Sequence, residues 1–559
     1  MSSRLFGPPS PRLRWASASA LAAWCVALLI ASSTAAPTGP VQAQAPDLGT
    51  DAQRESGKKL YLTFCSQCHG DNGDGEGYAA AHLRPRPRNF TTGKFKIRTT
   101  PNGALPTHQD LVNIIRRGMP YTSMPAWPGF TDQEVSDLAH FITSFSPEFA
   151  NPANAPKPIA LPSAPKATKE SIEQGKKLYD ETGCIKCHGP AGRGDGPSAP
   201  TLMDDWGHPI RPADLAQRWT FRGGSSREDL FRTISTGLNG TPMPGFLDDA
   251  LKPEQRWAIA DYIDSLSESG GPGYTNLVVA KHLQDRIDLA KGAASFASAP
   301  AARFPIVGQI MEPGRSFHPP ATSVSVQAIY DAESIAVLVR WHDMTPDKTG
   351  KNAPSLPVPR EEEEEAATPS GGTPAAGAAQ PGDPFAEPAA AAAPVSEFSD
   401  AVAIQIPSQV PTTARKPYFL LGDGQNSVDL WFFDLAQPAP QQFTGKGSAD
   451  VAPNATADVT GAATYDQGEW SVIFKRPRRA ASGAAFTPGE FMPIAFSVWD
   501  GLTRERGNKR GLTVWYSLYV EPEEVPSPVG PMVKTALIIL AIELAVIGWV
   551  RRRKPAVRV

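Results

Sequence analysis

The spacing of apolar residues divides the chain into stretches of different kinds. Near the N-terminus an apolar stretch from Ala18 to Ile30 follows Arg4, Arg12 and Arg14 and precedes the small residues Ala43-Gln44-Ala45. Positive, then apolar, then small is the order of a secretory signal, so residues 1–45 are expected to be removed on export. Two blocks then show helical patterning, 53–148 and 170–268, joined by the Pro/Ala-rich stretch 149–169, which reads as a semi-rigid linker. Thr131 with Glu134 three residues on has the form of a capping box, and Pro253 suits a first helical turn. Helices are therefore expected over Thr131 to Phe145 and Lys252 to Leu266.

From Val324 the period falls to two. Val324, Val326, Ala328 and Tyr330 alternate, as do Ile335, Val337, Val339 and Trp341. The same period returns at Trp470, Val472 and Phe474, at Ile494, Phe496 and Val498, and from Leu512 through Val520. Alternation rich in β-branched and aromatic residues predicts a mainly antiparallel β-sandwich. Residues 346–397 interrupt it with Glu361 to Glu365 and Ala/Pro/Gly repeats, too poor in large apolar side chains to offset the entropy of ordering. A disordered insertion is expected there. Residues 532–550 are apolar except for Lys534 and Glu543, and Arg551-Arg552-Arg553-Lys554 follows. That pattern predicts one C-terminal transmembrane helix with a cytoplasmic tail, 551–559; a helix lying on the membrane surface is the alternative. The expected fold is multidomain: two all-α domains, a β-sandwich and a membrane helix.

Composition narrows the chemistry. Across 559 residues, 54 Lys and Arg face 57 Asp and Glu, and no long basic run occurs, which argues against a nucleic-acid partner. Five cysteines are too few for a disulfide scaffold. Cys25 lies in the signal segment. The other four lie in an internal repeat, where Gly57-Lys58-Lys59-Leu60-Tyr61 leads to Cys65-Ser66-Gln67-Cys68-His69, and Gly175-Lys176-Lys177-Leu178-Tyr179 leads to Cys184-Ile185-Lys186-Cys187-His188. CxxCH lets two thiols add to the vinyl groups of one haem while the adjacent His binds the iron. A CxxC redox pair does not need the His, and a zinc site would need both motifs to converge. Two covalent haem c groups are expected, on Cys65 and Cys68 and on Cys184 and Cys187.

The repeat also nominates the second axial ligand. Copy one offers Met119 and Met124; copy two has Leu238 and Met243 at the aligned positions. Met124 and Met243 each lie 55 residues after their histidine and precede a proline. The expected iron ligands are therefore His69 with Met124 and His188 with Met243, with Met119 as packing. His82, His108, His140 and His208 have no such match and read as surface or structural. An iron with all six positions filled suits electron transfer rather than substrate binding, and no catalytic residue is nominated.

These residues resemble class I cytochrome c domains. The resemblance implies that Gly57 and Tyr61, like Gly175 and Tyr179, lie where the first helix crosses the last. Five further segments, Val324 to Asp347, Asp400 to Pro407, Lys416 to Phe433, Gly468 to Pro477 and Pro493 to Val520, resemble the ethylbenzene-dehydrogenase-type haem b domain, a likeness that runs over 275–524. That domain is the gamma subunit of type II dimethyl-sulfoxide-reductase-family molybdenum enzymes. The resemblance implies a non-covalent haem b held by a Met and a Lys. Lys509 matches the Lys; the Met position holds Leu421, and Met344 and Met311 match no family position. Two readings follow: an exported, membrane-anchored relay on the periplasmic side, between a molybdenum/iron–sulfur oxidoreductase and another cytochrome or the respiratory chain, with a haem b in the sandwich; or a dihaem cytochrome whose sandwich is a haem-free binding or docking module.

Overall fold

The computed structural model describes residues 47–247, 249–267, 270–359, 396–411, 415–454, 457–480, 483–523, 527 and 529–553. The expected signal over 1–45, with Cys25, lies outside these residues.

The longer helices of the two N-terminal blocks begin where a side chain can satisfy a free N–H group, while the short CxxCH helices have no side-chain cap. Thr50 and Gln53 close a capping box at the start of α1 (Asp51–Phe64). The short α2 (Ser66–His69) carries the end of the first CxxCH. Thr107 with Asp110 caps α3 (His108–Arg117), and Thr131 with Glu134 caps α4 (Asp132–Thr143). The second block repeats the order: α5 (Lys169–Glu181), α6 (Ile185–His188), α7 (Arg227–Thr236) and α8 (Pro253–Leu266), with Pro253 in the first turn.

In both blocks the first helix crosses the last at a glycine. A Cβ on Gly57 would stand 2.1 Å from the Asp137 carbonyl oxygen, and one on Gly175 would stand 1.9 Å from that of Ala258. Only hydrogen fits between backbones this close. Below each crossing lies a small apolar core, with Tyr61, Leu138 and Ile142 in the first block and Tyr179, Phe231 and Trp257 in the second. The segment between the blocks is partly folded, with short 3-10 turns at Pro147–Ala150 and Pro152–Asn154. Ile159 N–H then donates to Thr99 O over 2.8 Å.

The remaining described core is a β-sandwich. One layer runs β10 (Thr460–Asp466), β11 (Glu469–Pro477), β5 (Ser334–His342), β4 (Ser323–Tyr330), β1 (Leu277–His282) and β14 (Tyr516–Val520). It continues through β12 (Phe491–Trp499) into β6 (Ala401–Pro407), β7 (Val428–Asp434), β8 (Gln441–Gly445) and β9 (Val451–Pro453). β2 (Ala302–Pro305) and β3 (Val307–Gly308) are short additions at β4 and β13 (Gly511–Leu512). Pairing is antiparallel except at β1, which runs parallel to both β4 and β14. Trp341, Trp431, Trp470, Phe474 and Phe496 fill the space between the layers.

Two expectations are corrected here. The alternation from Leu512 through Val520 is not one strand. β13 pairs with β12 and β3, while β14 leaves to lie between β12 and β1. The run crosses from one layer to the other, which a period of two cannot reveal. Disorder is expected over 346–397, but the described residues at its start are ordered: Asp347 and Asn352 are buried, and Asn352 Nδ2 donates to Ser399 O and Glu505 O over 2.8 and 3.0 Å. Polar side chains that reach buried carbonyls order this stretch without apolar bulk. Residues 360–395 lie outside the described set.

After Val520 the chain reaches α9 (Val529–Arg553), whose described side chains are exposed. It is long and apolar enough to cross a membrane.

Candidate haem sites

The two CxxCH motifs are presented in the same way. In each, the first cysteine's carbonyl accepts the histidine N–H, over 2.9 Å in both copies. Beneath them Tyr61 Oη donates to Gly70 O and Tyr179 Oη to Gly189 O, both over 2.7 Å, and both rings are fully buried. Replacing Tyr179 with Phe strands the Gly189 carbonyl. Loss of a partner from a buried acceptor should cost about 1–3 kcal/mol, seen as a lowered melting temperature in calorimetry.

The histidines are held through one nitrogen and left free at the other. His69 Nδ1 lies 3.0 Å from Arg88 O, and His188 Nδ1 lies 3.0 Å from Ala213 O. A carbonyl only accepts, so Nδ1 carries the proton and Nε2 keeps its lone pair. Burial holds both imidazoles below their usual range, in the neutral form a metal needs. Burial also pushes the Cys65 thiol up to about 12 and raises those of Cys68, Cys184 and Cys187. Among the described residues no group of three or more His, Cys, Asp or Glu is placed to hold a metal ion.

The methionine loops superimpose bond for bond. Met119 N–H donates to Met124 O over 3.0 Å, and Leu238 N–H donates to Met243 O over 3.1 Å. Thr122 and Thr241 hydroxyls donate to the carbonyls of Met119 and Leu238 and accept from the N–H of Met124 and Met243. Gly118 and Gly237, with φ of 67° and 65°, turn the chain into these loops. A methionine at Met124 and Met243 thus has one backbone setting in both copies, while Met119 sits where the second copy has Leu238. His108 and His140 stack on each other, with ring centroids 4.1 Å apart.

Residues 54–146 and 172–267 match the cytochrome c family. Both segments are cytochrome c domains. Such domains carry covalently bound haem c, and the paired thiols and the lone pair on Nε2 fit that group. A protein from Haloferax mediterranei named as a respiratory nitrate reductase heme subunit is 29% identical over 154 residues, covering 27% of this chain and 52% of the relative. The cbb3-type cytochrome c oxidase subunit CcoP of Helicobacter pylori is 26% identical over 232 residues, covering 40% of this chain and 62% of the relative. The chain thus spans about half to three-fifths of the length of these curated relatives. A chain in the reducing HAO-like protein complex of Kuenenia stuttgartiensis is 38% identical, with a TM-score of 0.38 over 40% of this chain and 100% of that one.

The cytochrome c domains contact each other and the sandwich. Arg98, 1% exposed, reaches from the first domain to Thr236 O over 2.7 Å, and Asn239 of the second bonds Gly103 N and Ala104 O of the first. The Arg88 guanidinium lies 4.4 Å from the centre of the Trp206 ring. From the second domain, Arg211 pairs with Asp500 over 3.2 Å and Arg193 with Glu469 over 3.4 Å; the Arg193 carbonyl accepts from His342 Nε2. The Met124 loop touches the sandwich through Tyr121 and Tyr274 hydroxyls, 3.2 Å apart.

Asp500 belongs to a buried acidic cluster with Asp343, Asp347, Asp400 and Glu505. Burial, then the charge of Asp500, raises Asp347 to about 6 and Glu505 to about 8. Their ordinary values are 3.8 and 4.5, so the native state holds these protons more tightly than the unfolded chain. The resulting stability is complete below the ordinary values and is lost as pH rises through the raised ones. Melting temperature should therefore fall between about pH 5 and about pH 8; a flat or rising calorimetric profile would contradict this, and Glu505→Gln should shallow the slope.

The two positions bearing on a haem b differ in kind. Leu421 has no donor atom. Its backbone is left-handed, at φ 64°, and its buried side chain packs with Ala403, Leu430, Phe432 and Trp499. Trp499 Nε1 in turn donates to Gly507 O, in the turn that carries the half-buried Lys509. An apolar cluster without a donor does not fit an axial ligand at Leu421.

The carbonyls of Arg88 and Ala213 escaped the sequence reading. A signal exists for them: Arg86-Pro87-Arg88-Asn89-Phe90 and Arg211-Pro212-Ala213-Asp214-Leu215 place the acceptor directly after a proline in both copies. The acceptors lie 19 and 25 residues from their histidines, so fixed-distance alignment passes over them.

Proposed function

We propose that this chain is a membrane-anchored dihaem cytochrome c that relays single electrons between a periplasmic redox enzyme, a molybdenum/iron–sulfur oxidoreductase in the sharpest form of the reading, and another cytochrome of the respiratory chain. The observation that carries it is the pair of equivalent CxxCH and methionine-loop settings, which support reading His69 with Met124 and His188 with Met243 as the axial ligands. Bound haem supplies the one-electron change at iron. The residues fix the histidine tautomer, offer the methionine sulfur and keep the ring orientation. The names of the nitrate reductase and oxidase relatives are in keeping with a respiratory setting. Export through residues 1–45 and anchoring by α9 would put both domains on the periplasmic side, with 551–559 in the cytoplasm.

Within this reading the sandwich is a docking module that holds the second domain through Arg193 and Arg211. The packing of Leu421 favours this over a haem b ligated at Lys509. A pyridine haemochrome spectrum on purified, mildly solubilised protein tests both points. Two c-type haems per chain and no b-type band are expected. A stoichiometric b-type band would restore the haem b reading, and fewer than two c-type haems would remove the dihaem one.

A further inference from the structure

We propose that the two seams between modules act on the two iron sites separately, through the backbone carbonyls that bind the axial histidines. The inference rests on His69 and His188 being those ligands. Arg88 carries both parts of the first device on one Cα. Its carbonyl accepts from His69 Nδ1 over 3.0 Å, and its guanidinium is held over Trp206 of the second domain. Arg98 fixes the same segment by its bond to Thr236 O. In the second device Ala213 is clamped from both sides. Arg211, two residues before it, pairs with Asp500 of the sandwich. Asp214, directly after it, lies 3.6 Å from Arg193, which reaches Glu469 of the sandwich. In each domain the acceptor for the axial histidine is therefore anchored by the neighbouring module and not by its own helices alone.

The physical consequence follows from the hydrogen bond. An Nδ1–H that donates to a well-placed acceptor makes the imidazole a stronger donor to the metal and fixes its plane. The bond weakens steeply when its angle or length drifts. Stronger donation favours ferric iron, so loosening the carbonyl raises the potential of that site alone. Arg88 and Arg211 are thus positioning residues, and each carbonyl adjusts one haem.

The test uses the full-length, haem-loaded protein in a redox titration that resolves two potentials, with Nδ1 proton exchange of the axial histidines followed by NMR in the reduced state. Met124→Ala identifies the first domain's potential. Trp206→Ala keeps the Arg88 charge but removes its platform. It is expected to raise the first potential and speed His69 Nδ1 exchange several-fold, with His188 Nδ1 exchange unchanged even though Trp206 also packs on Gly240 of the Met243 loop, and Trp206→Phe should restore both values. Asp500→Asn is expected to shift only the second site. Haem content per chain checks that each variant is loaded. Unchanged first-site potential and His69 exchange in Trp206→Ala, or equal acceleration of exchange at both histidines, would overturn the inference. If Met124→Ala itself moves neither potential, the failure lies in the ligand reading on which the inference stands.

Discussion

Replacing Met243 with alanine should leave the second cytochrome c domain with an iron lacking its sixth ligand, and its potential should fall by on the order of a tenth of a volt. A thioether stabilises ferrous iron, so its loss favours the ferric state. The long-wavelength absorption of the methionine–iron bond should drop by half, and the variant should bind carbon monoxide in the reduced state. Met124→Ala should do the same to the first domain. Met119→Leu is the decisive control. It gives the first copy the residue that the second already has at Leu238, in a loop with the same backbone bonds. It should leave the spectrum and both potentials intact. An altered spectrum in Met119→Leu with an unaltered one in Met124→Ala would reverse the assignment within the first domain.

The second large effect is expected at the helix crossing. Gly175→Ala would push a methyl group to 1.9 Å from the Ala258 carbonyl oxygen and 2.9 Å from Tyr262 Cβ. The first obstacle is backbone, which cannot rotate aside, so α5 and α8 must separate. Overpacking costs about 1–3 kcal/mol where side chains can yield and more where they cannot; a loss of about 3 kcal/mol or more is expected. Chemical denaturation followed by haem absorbance would measure it. Gly129→Ala meets nothing within 4 Å, and its stability should change by less than about 0.5 kcal/mol. Equal stability in the two variants would mean that the crossing is not as close as described.

The parts legible in the sequence are those governed by short-range rules. The capping box at Thr131 and the proline at Pro253 mark the starts of α4 and α8 because both depend only on residues within one turn. Strands such as β4 and β5 announce themselves by alternation because long stretches of one face line the core. β6 and β7 do not: all seven residues of each are buried, so no polar face marks the period. The parallel pairing of β1 and the crossing of the chain from β13 to β14 are set by tertiary contacts, not by local pattern. At the haem sites the cysteines, histidines and equal methionine spacing are visible in one dimension. The carbonyls that orient the histidines belong to the backbone, which every residue shares, and so leave almost no mark on residue type.

The distance between the last strand and the hydrophobic helix sets a further condition. β14 ends at Val520 and α9 begins at Val529. Eight connecting residues extend at most about 28 Å. With α9 seated in a bilayer, this leash holds the sandwich within about its own width of the lipid surface. An electron carrier so tethered does not search a volume. Membrane-bound partners would reach it by lateral diffusion in a thin layer, where their effective concentration is high, and any soluble partner would have to come to the surface.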